Sequence, residues 1–301
     1  MLQNSQVVFA LLLLCEALAA PIVPRSEVNR KMEAMEVKVR FDGRAGQTPL
    51  EEYVAAVLAK ESGNFRSDEA LKAMAVAVRS YALHFRGRHE REGFDFCDTT
   101  HCQAIQREAV TPALKKAAAD TAGELIWYDR APAAAYYHAD CGGSTEAAQH
   151  VWGSGEPYLK QRVDRFCTRP DSGEWNSAFS KELVRSVLGT QGVEIPEDME
   201  SMEIVQRTPS GRAAKLLLHG SGAVIVKAGA FRNAMQRGLG WKSVPSGAFT
   251  VDQDTDRFFF SGRGAGHAVG LCQRGAERMG LAGQTYREIL AYYYPGTVVG
   301  R

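Results

Sequence analysis

The chain has 301 residues, 45% of them hydrophobic, and its charge is nearly balanced: 36 Lys and Arg against 35 Asp and Glu, a formal net charge of +1. That is the composition of a globular protein with room for one or two domains and no low-complexity tract. It excludes a chain built around a strongly basic or acidic surface, so neither nucleic acid nor a charged membrane surface is an expected partner.

Residues 7–14 (VVFALLLL) form a short apolar run, and Ala17-Leu18-Ala19 precedes Ala20-Pro21. The run is too short to cross a bilayer and the small residues fit a cleavage site, although no Lys or Arg precedes it. Residues 1–19 therefore read as an export signal, 20–35 as a polar linker and 36–301 as the folded domain. A lipoprotein signal at Cys15 is disfavoured by the bulky Leu14 before it. The expected location is periplasmic or extracellular, in the cell envelope, without a permanent membrane anchor. Cleavage would leave Cys97, Cys102, Cys141, Cys167 and Cys272, and disulfides are the default in an exported protein. An odd count leaves one thiol over or bound to metal. Cys141–Cys167 is the expected disulfide.

Val37, Val39 and Phe41 alternate with Lys38 and Arg40, the pattern of a half-buried strand. Residues 50–85 then carry two amphipathic helices around a break at Gly63. In the first, Leu50, Val54, Val57 and Leu58 recur at helical spacing, and Glu61 falls on the same face in the last turn. An apolar surround and the negative end of the helix dipole both disfavour its charge and raise its pKa, as a general acid requires. A glutamate that snorkels off the helix end or caps the next helix is the competing reading. The second helix opens at Ser67, with Asp68 and Glu69 in its first turn, and carries an apolar stripe from Leu71 to Phe85.

Cys97, His101 and Cys102 lie within six residues, with His89 a little upstream. They read equally as part of a zinc site or as a local Cys97–Cys102 disulfide. A helix over 112–121 precedes two strands, 123–129 and 132–143. The second ends at His138 and Cys141, followed by Gly142-Gly143-Ser144-Thr145. Further on, a helix capped by Ser180 spans 181–188. Strands follow at 202–207, 213–219 and 223–227, then a helix near Phe231 and a strand pair around Phe249 and Phe258. Asp252, Asp254 and Asp256 alternate, but Arg257 and Arg263 stand where a calcium loop needs Gly and Glu, so a polar turn is expected. SGRGAGHAVGLCQRGAERMG (261–280) is glycine-rich and opens a helix without being a nucleotide loop, and it places His267 at the loop–helix junction. Thr285 and Glu288 form a capping box. Helices gather early and strands dominate the middle, so the expected fold is a single compact α+β domain with a cleft.

LEEYVAAVLAKESG, EALKAMAVAVRSYAL, CDTTHCQAI, AYYHADCGGST, VWG…PYLK, GRGAGHAVGLCQRGA and ILAYYYPG, in this order over residues 37–297, resemble the SpoIID/LytB domain, the family of stage II sporulation protein D. The resemblance implies a lytic transglycosylase acting on peptidoglycan glycan strands, with Glu61 as its single acid and base. It further implies Arg79, Tyr81, Gln103, His138, Thr145, His267 and Gln273 around the substrate. In some members zinc sits at the segment matching Cys97, His101 and Cys102; the chemistry itself needs no cofactor. Because some relatives enhance an amidase, the alternative is a non-catalytic peptidoglycan binder with a cell-wall amidase as partner. A zinc hydrolase using Cys97, His101 and Cys102 is a third reading, and it would need an open coordination position.

Overall fold

The computed structural model describes residues 34–168 and 173–301, so the expected export signal and most of the linker lie outside the described residues. Strand β1 (Glu36–Phe41) turns Val37 and Val39 inward and pairs antiparallel with β2 (Arg44–Pro49). Pro49 leads directly into α1 (Leu50–Glu61), whose face of Leu50, Val54, Val57 and Leu58 is buried as the spacing predicts. Each such side chain contributes about 1.5–3 kcal/mol of burial free energy, an upper figure because the unfolded chain already hides part of it. The helix stops at Ser62. A Cβ on the next residue, Gly63, would stand 2.9 Å from the Ala59 carbonyl oxygen, which is why the turn needs glycine.

Helix α2 (Asp68–His84) starts where the Ser67 hydroxyl accepts the Ala70 N–H, and its stripe of Leu71, Met74, Val78 and Ala82 is core. Arg79 lies in that same surface with 0% exposure. A cation there is tolerated only because its donors are all engaged. It grips the Glu51 carboxylate of α1 through Nε (2.8 Å) and Nη2, and its Nη1 and Nη2 reach the carbonyls of Glu124 and Ala118 at 3.1 Å. This staple locks α1 and α2 to α3 (Pro112–Asp120), which Thr111 caps.

A short strand the sequence did not announce, β3 (Phe96–Cys97), runs along β1, and β4 (Leu125–Tyr128) beside β5 (Ala131–Pro132) forms within the expected strand over 123–129 and the start of the next. The continuous strand expected over 132–143 does not form. The Ala134 N–H is taken by the Tyr158 hydroxyl at 2.8 Å rather than by a strand, which turns the chain out of the pair. The next strand, β6 (Tyr137–His138), instead runs parallel to β13 (Leu271–Cys272) with Cys272 opposite His138. After β6 a loop and the short helix α4 (Ala148–Trp152) complete this half.

Residues 174–263 build a second hydrophobic core. Its elements are β7 (Glu174–Ser180), α5 (Lys181–Thr190), β8 (Ser201–Arg207), β9 (Ala213–His219), β10 (Ala223–Lys227), α6 (Ala228–Leu239), β11 (Phe249–Gln253) and β12 (Arg257–Arg263). They form the sheets β10-β9-β8 and β11-β12-β7 under two helices, around Leu216, Leu218, Phe231, Phe249, Phe258 and Phe260. Asp254 and Asp256 do make a polar turn, with Asp254 accepting the N–H groups of Asp256 and Arg257, while Asp252 is the penultimate residue of β11. A polar seam fastens this core to the first: Arg212 Nη2 donates to the Cys141 and Ser144 carbonyls at 2.6 and 2.8 Å, and Ser210 donates to Glu146.

The chain then returns to the first core through β13, α7 (Gln273–Leu281), α8 (Tyr286–Tyr293) and β14 (Val298–Gly300), the last paired with β4. Glu277 of α7 accepts the N–H groups of Arg66 and Ser67, capping α2. The whole is an α+β fold, and among the described residues no helix is long and apolar enough to cross a membrane.

Candidate functional site

Docking α7 against α2 brings the end of α1 to the start of α7. Gln273, the first residue of α7, donates from Nε2 to Glu61 Oε2 at 3.1 Å. Glu61 is partly buried, and burial raises its pKa; Gln273 and Lys60 pull the other way without cancelling it. The two groups that pull its pKa down are an amide and an ammonium. Beside it stands Tyr137, whose phenol is held well above its ordinary pKa by burial and by the Glu61 charge.

Gln103 is 2% exposed and ties this wall together. It accepts from the Tyr53 hydroxyl at 3.0 Å and donates to Tyr137 Oη at 3.1 Å. Tyr81 packs edge-on to Tyr137, with its hydroxyl accepting from Arg88 at 2.9 Å; burial pushes its pKa up to about 12. His267 lies in the glycine loop several residues before the helix, whose N-cap is Cys272, so the expected loop–helix junction is occupied by the cysteine. His267 Nδ1 accepts the Val269 N–H at 3.0 Å, which leaves the proton on Nε2. Burial, aided by Arg232, brings its pKa down to about 4, so the ring is neutral at physiological pH. His138 is buried too, donates from Nδ1 to the Val269 carbonyl at 3.1 Å, and its Nε2 has no hydrogen-bond partner among the described residues. Alongside His267 run Tyr136 and Trp152, ring centroids 4.5 Å apart, with Trp152 45% exposed. Exposed aromatic faces of this kind suit the apolar face of a sugar ring.

Two residues expected around the substrate are elsewhere. Arg79 is consumed by Glu51, at the opposite end of a helix whose length separates it from Glu61 by about 15 Å. Thr145 is 2% exposed and spends its hydroxyl on the Lys160 and Arg162 carbonyls, closing a loop. Sequence reasoning missed Tyr137 and Trp152. Tyr137 adjoins His138 within AYYHADCGGST and Trp152 lies in the VWG of VWG…PYLK, so in both cases the resemblance motif was the one signal that could have found it. A recess lined by Val39, Phe41, Arg44 and Thr48 sits on the opening hairpin and includes none of these residues.

The cysteines form two groups. His89, Cys97, His101 and Cys102 place four ligand atoms within 4.8 Å of one another. His101 Nδ1 is 3.8 and 3.6 Å from the two sulfurs, and His89 Nε2 is 3.3 Å from Cys102 Sγ. Sulfur and nitrogen on a tetrahedral zinc lie about 3.6 Å apart. His89 also hydrogen-bonds Glu92 through Nδ1, the carboxylate support that orients ligating imidazoles. These four residues can hold zinc, and they leave no coordination position open. The expected Cys141–Cys167 disulfide is not formed: both are free thiols, and Cys272 and Asp164 converge on them.

The chain's sequence relationships identify it as a member of the SpoIID/LytB family, that of stage II sporulation protein D. Residues 43–128 match the Stage II sporulation protein family model, and 174–270 match a domain of unknown function that coincides with the second core. The chain is 32% identical over 249 residues to an uncharacterized protein of Brachyspira hyodysenteriae, covering 82% of this chain and 65% of that protein. It is 28% identical to a stage II sporulation protein D of Bacillus subtilis (94% and 85% covered) and 27% identical to an amidase enhancer of the same organism (77% and 38%). The chain thus spans less than two thirds of the first and last of these relatives.

Proposed function

We propose that the protein is a peptidoglycan lytic transglycosylase with Glu61 as general acid and base. Family membership supports a cell-wall-related function. The observation that carries the finer reading is a partly buried carboxyl at a helix end, its pKa raised by burial and one amide donor holding it. Hydrolysis of a glycosidic bond ordinarily uses two carboxyl groups, one of them directing water or attacking carbon. One carboxyl suffices when the attacking oxygen is already in the substrate. Protonated Glu61 gives its proton to the oxygen linking N-acetylmuramic acid to N-acetylglucosamine, and the bond from C1 breaks. The muramic 6-hydroxyl then bonds to C1 and returns its proton to the Glu61 carboxylate, leaving a 1,6-anhydro end. Gln273 orients the carboxylate, and Trp152 and Tyr136 offer a stacking surface for the strand. Zinc held by His89, Cys97, His101 and Cys102 would brace the wall that contains Gln103. A site with four protein ligands suits that role and not the activation of water, which argues against a zinc hydrolase.

Glu61→Gln should reduce cleavage of peptide-free glycan strands by at least ~10²-fold. Anhydro ends among the native products support the ring closure, whereas ordinary reducing ends or unchanged turnover by the variant would end this reading. The second reading, a glycan-binding enhancer of an amidase, draws on the exposed Trp152 face and the 27% identity to the amidase enhancer. It predicts strand binding, no cleavage, and stimulation of an added amidase.

A further inference from the structure

We propose that Cys141, Asp164, Cys167 and Cys272 form a second, buried zinc site beneath Glu61 and Gln273. All four are buried, and their ligand atoms lie within 4.8 Å of one another. Cys167 and Cys272 sulfurs are 3.7 Å apart, and Cys141 Sγ is 3.3 Å from Asp164 Oδ2. On a tetrahedral zinc, two sulfurs stand about 3.8 Å apart and a sulfur and a carboxylate oxygen about 3.5 Å. The spacing is therefore that of ligands sharing one ion.

The surroundings are those a thiolate cluster needs. Cys272 Sγ accepts the N–H groups of Cys141 and Gly275 at 3.3 and 3.4 Å, donors that stabilise negative sulfur. Asp164 Oδ2 accepts from the Tyr293 hydroxyl at 2.8 Å. A Cβ on Gly275 would come within 2.5 Å of that same carboxylate oxygen, so the glycine keeps the pocket open. Three thiols and a carboxylate binding Zn2+ release three protons and leave a net charge of about −2. Arg212, 5% exposed and donating to the Cys141 carbonyl, supplies buried positive charge beside it. On the far side of Cys167, Asp140 is paired with Arg274. Soft sulfur ligands select zinc over magnesium or calcium, and a full donor set makes the site structural. It would join three segments: the turn after β6, the helical turn at Arg165–Cys167, and the start of α7, where Gln273 adjoins Cys272.

The test is metal content by mass spectrometry on the purified full-length chain. Cys97→Ser/Cys102→Ser should keep about one zinc equivalent, and the same chain with Cys272→Ser added should lose it. Cobalt substituted into the double variant should show tetrahedral bands with sulfur charge transfer. On the native chain, which needs no mutation to fold, Cys141, Cys167 and Cys272 should resist alkylation until a chelator is added. A double variant that holds no metal, or a native chain in which non-reducing peptide mapping finds two of these three cysteines joined as a disulfide, would overturn the proposal. Neither result depends on glycan cleavage, so the site can fail while Glu61 chemistry stands, or the reverse.

Discussion

Gln273→Met offers the sharpest check on how Glu61 is tuned. The substitution keeps side-chain volume but removes the 3.1 Å hydrogen bond that favours the ionised carboxylate. A hydrogen bond to a charged group contributes about 1.5–3 kcal/mol, and the lower figure applies to a carboxylate that still sees some water. About 1.4 kcal/mol is a factor of ten in the balance between the protonated and ionised forms. On the proposed mechanism Glu61 acts first as an acid, so activity on glycan strands should fall as pH rises through its pKa. Losing Gln273 favours the proton further, moving that alkaline limb upward. At a pH well up the native limb, the variant's protonated fraction should exceed the native one about tenfold, even though its plateau kcat drops through poorer positioning. The assay is a pH profile of kcat/KM on peptide-free glycan, native beside variant. A limb that stays in place or moves to lower pH would refute the tuning, because a purely structural defect changes the plateau and not the limb.

Other outcomes follow from the same contacts. Burial raises the folded-state pKa of Glu61, so its ionisation weakens the fold as pH rises from the ordinary carboxylate range through that raised value. Glu61→Gln should therefore be more stable than the native chain near neutral pH, by about 0.5–2 kcal/mol, with the gain vanishing in acid; equal denaturation midpoints at both pH values would contradict it. Arg79→Leu strands the Glu51 carboxylate and should cost about 3–5 kcal/mol in urea unfolding; a loss under about 1 kcal/mol would mean that the pair is solvated. Trp152→Ala should weaken glycan binding measured by calorimetry, at a stability cost of about 1–3 kcal/mol for the part of the ring packed on Tyr136 and His267; unchanged binding would remove Trp152 from the strand surface. His89→Ala should lower the affinity of the Cys97–Cys102 site for zinc and the thermal midpoint together, and a melting curve insensitive to the variant would remove zinc from the wall.

Local patterns foretold local structure well. The apolar spacing of α1 and α2, the caps at Ser67, Ser180 and Thr285, and the strands over 201–227 all follow from short-range rules, and the structure has them. What short-range rules cannot supply is the partner. Arg79 pairs with Glu51, 28 residues away, and nothing in its neighbourhood marks it as a staple rather than a groove residue. His89 meets Cys102 across 13 residues because a turn at Gly93 brings it back, so spacing alone leaves the zinc set one ligand short. Cys272 reaches Cys141 across 131 residues, a convergence that no local pairing of Cys141 with Cys167 anticipates. The strands expected over 202–227 and around Phe249 and Phe258 did not announce β7 or that these elements would bury one another in a core of their own.

That interleaving bears on when the protein becomes competent. The first core takes its side chains from residues 37–167 and again from 268–294, with the second core spliced between. A nascent polypeptide stalled before Leu271 would lack the strand that partners β6, the amide that faces Glu61 and the carboxylate that caps α2. Until the last stretch emerges, the early helices pack on one another and on the opening strands, with the face that meets α7 and α8 uncovered. Such a chain should be digested rapidly by protease where the complete one resists. The site around Glu61 is therefore completed only by the last residues to be made.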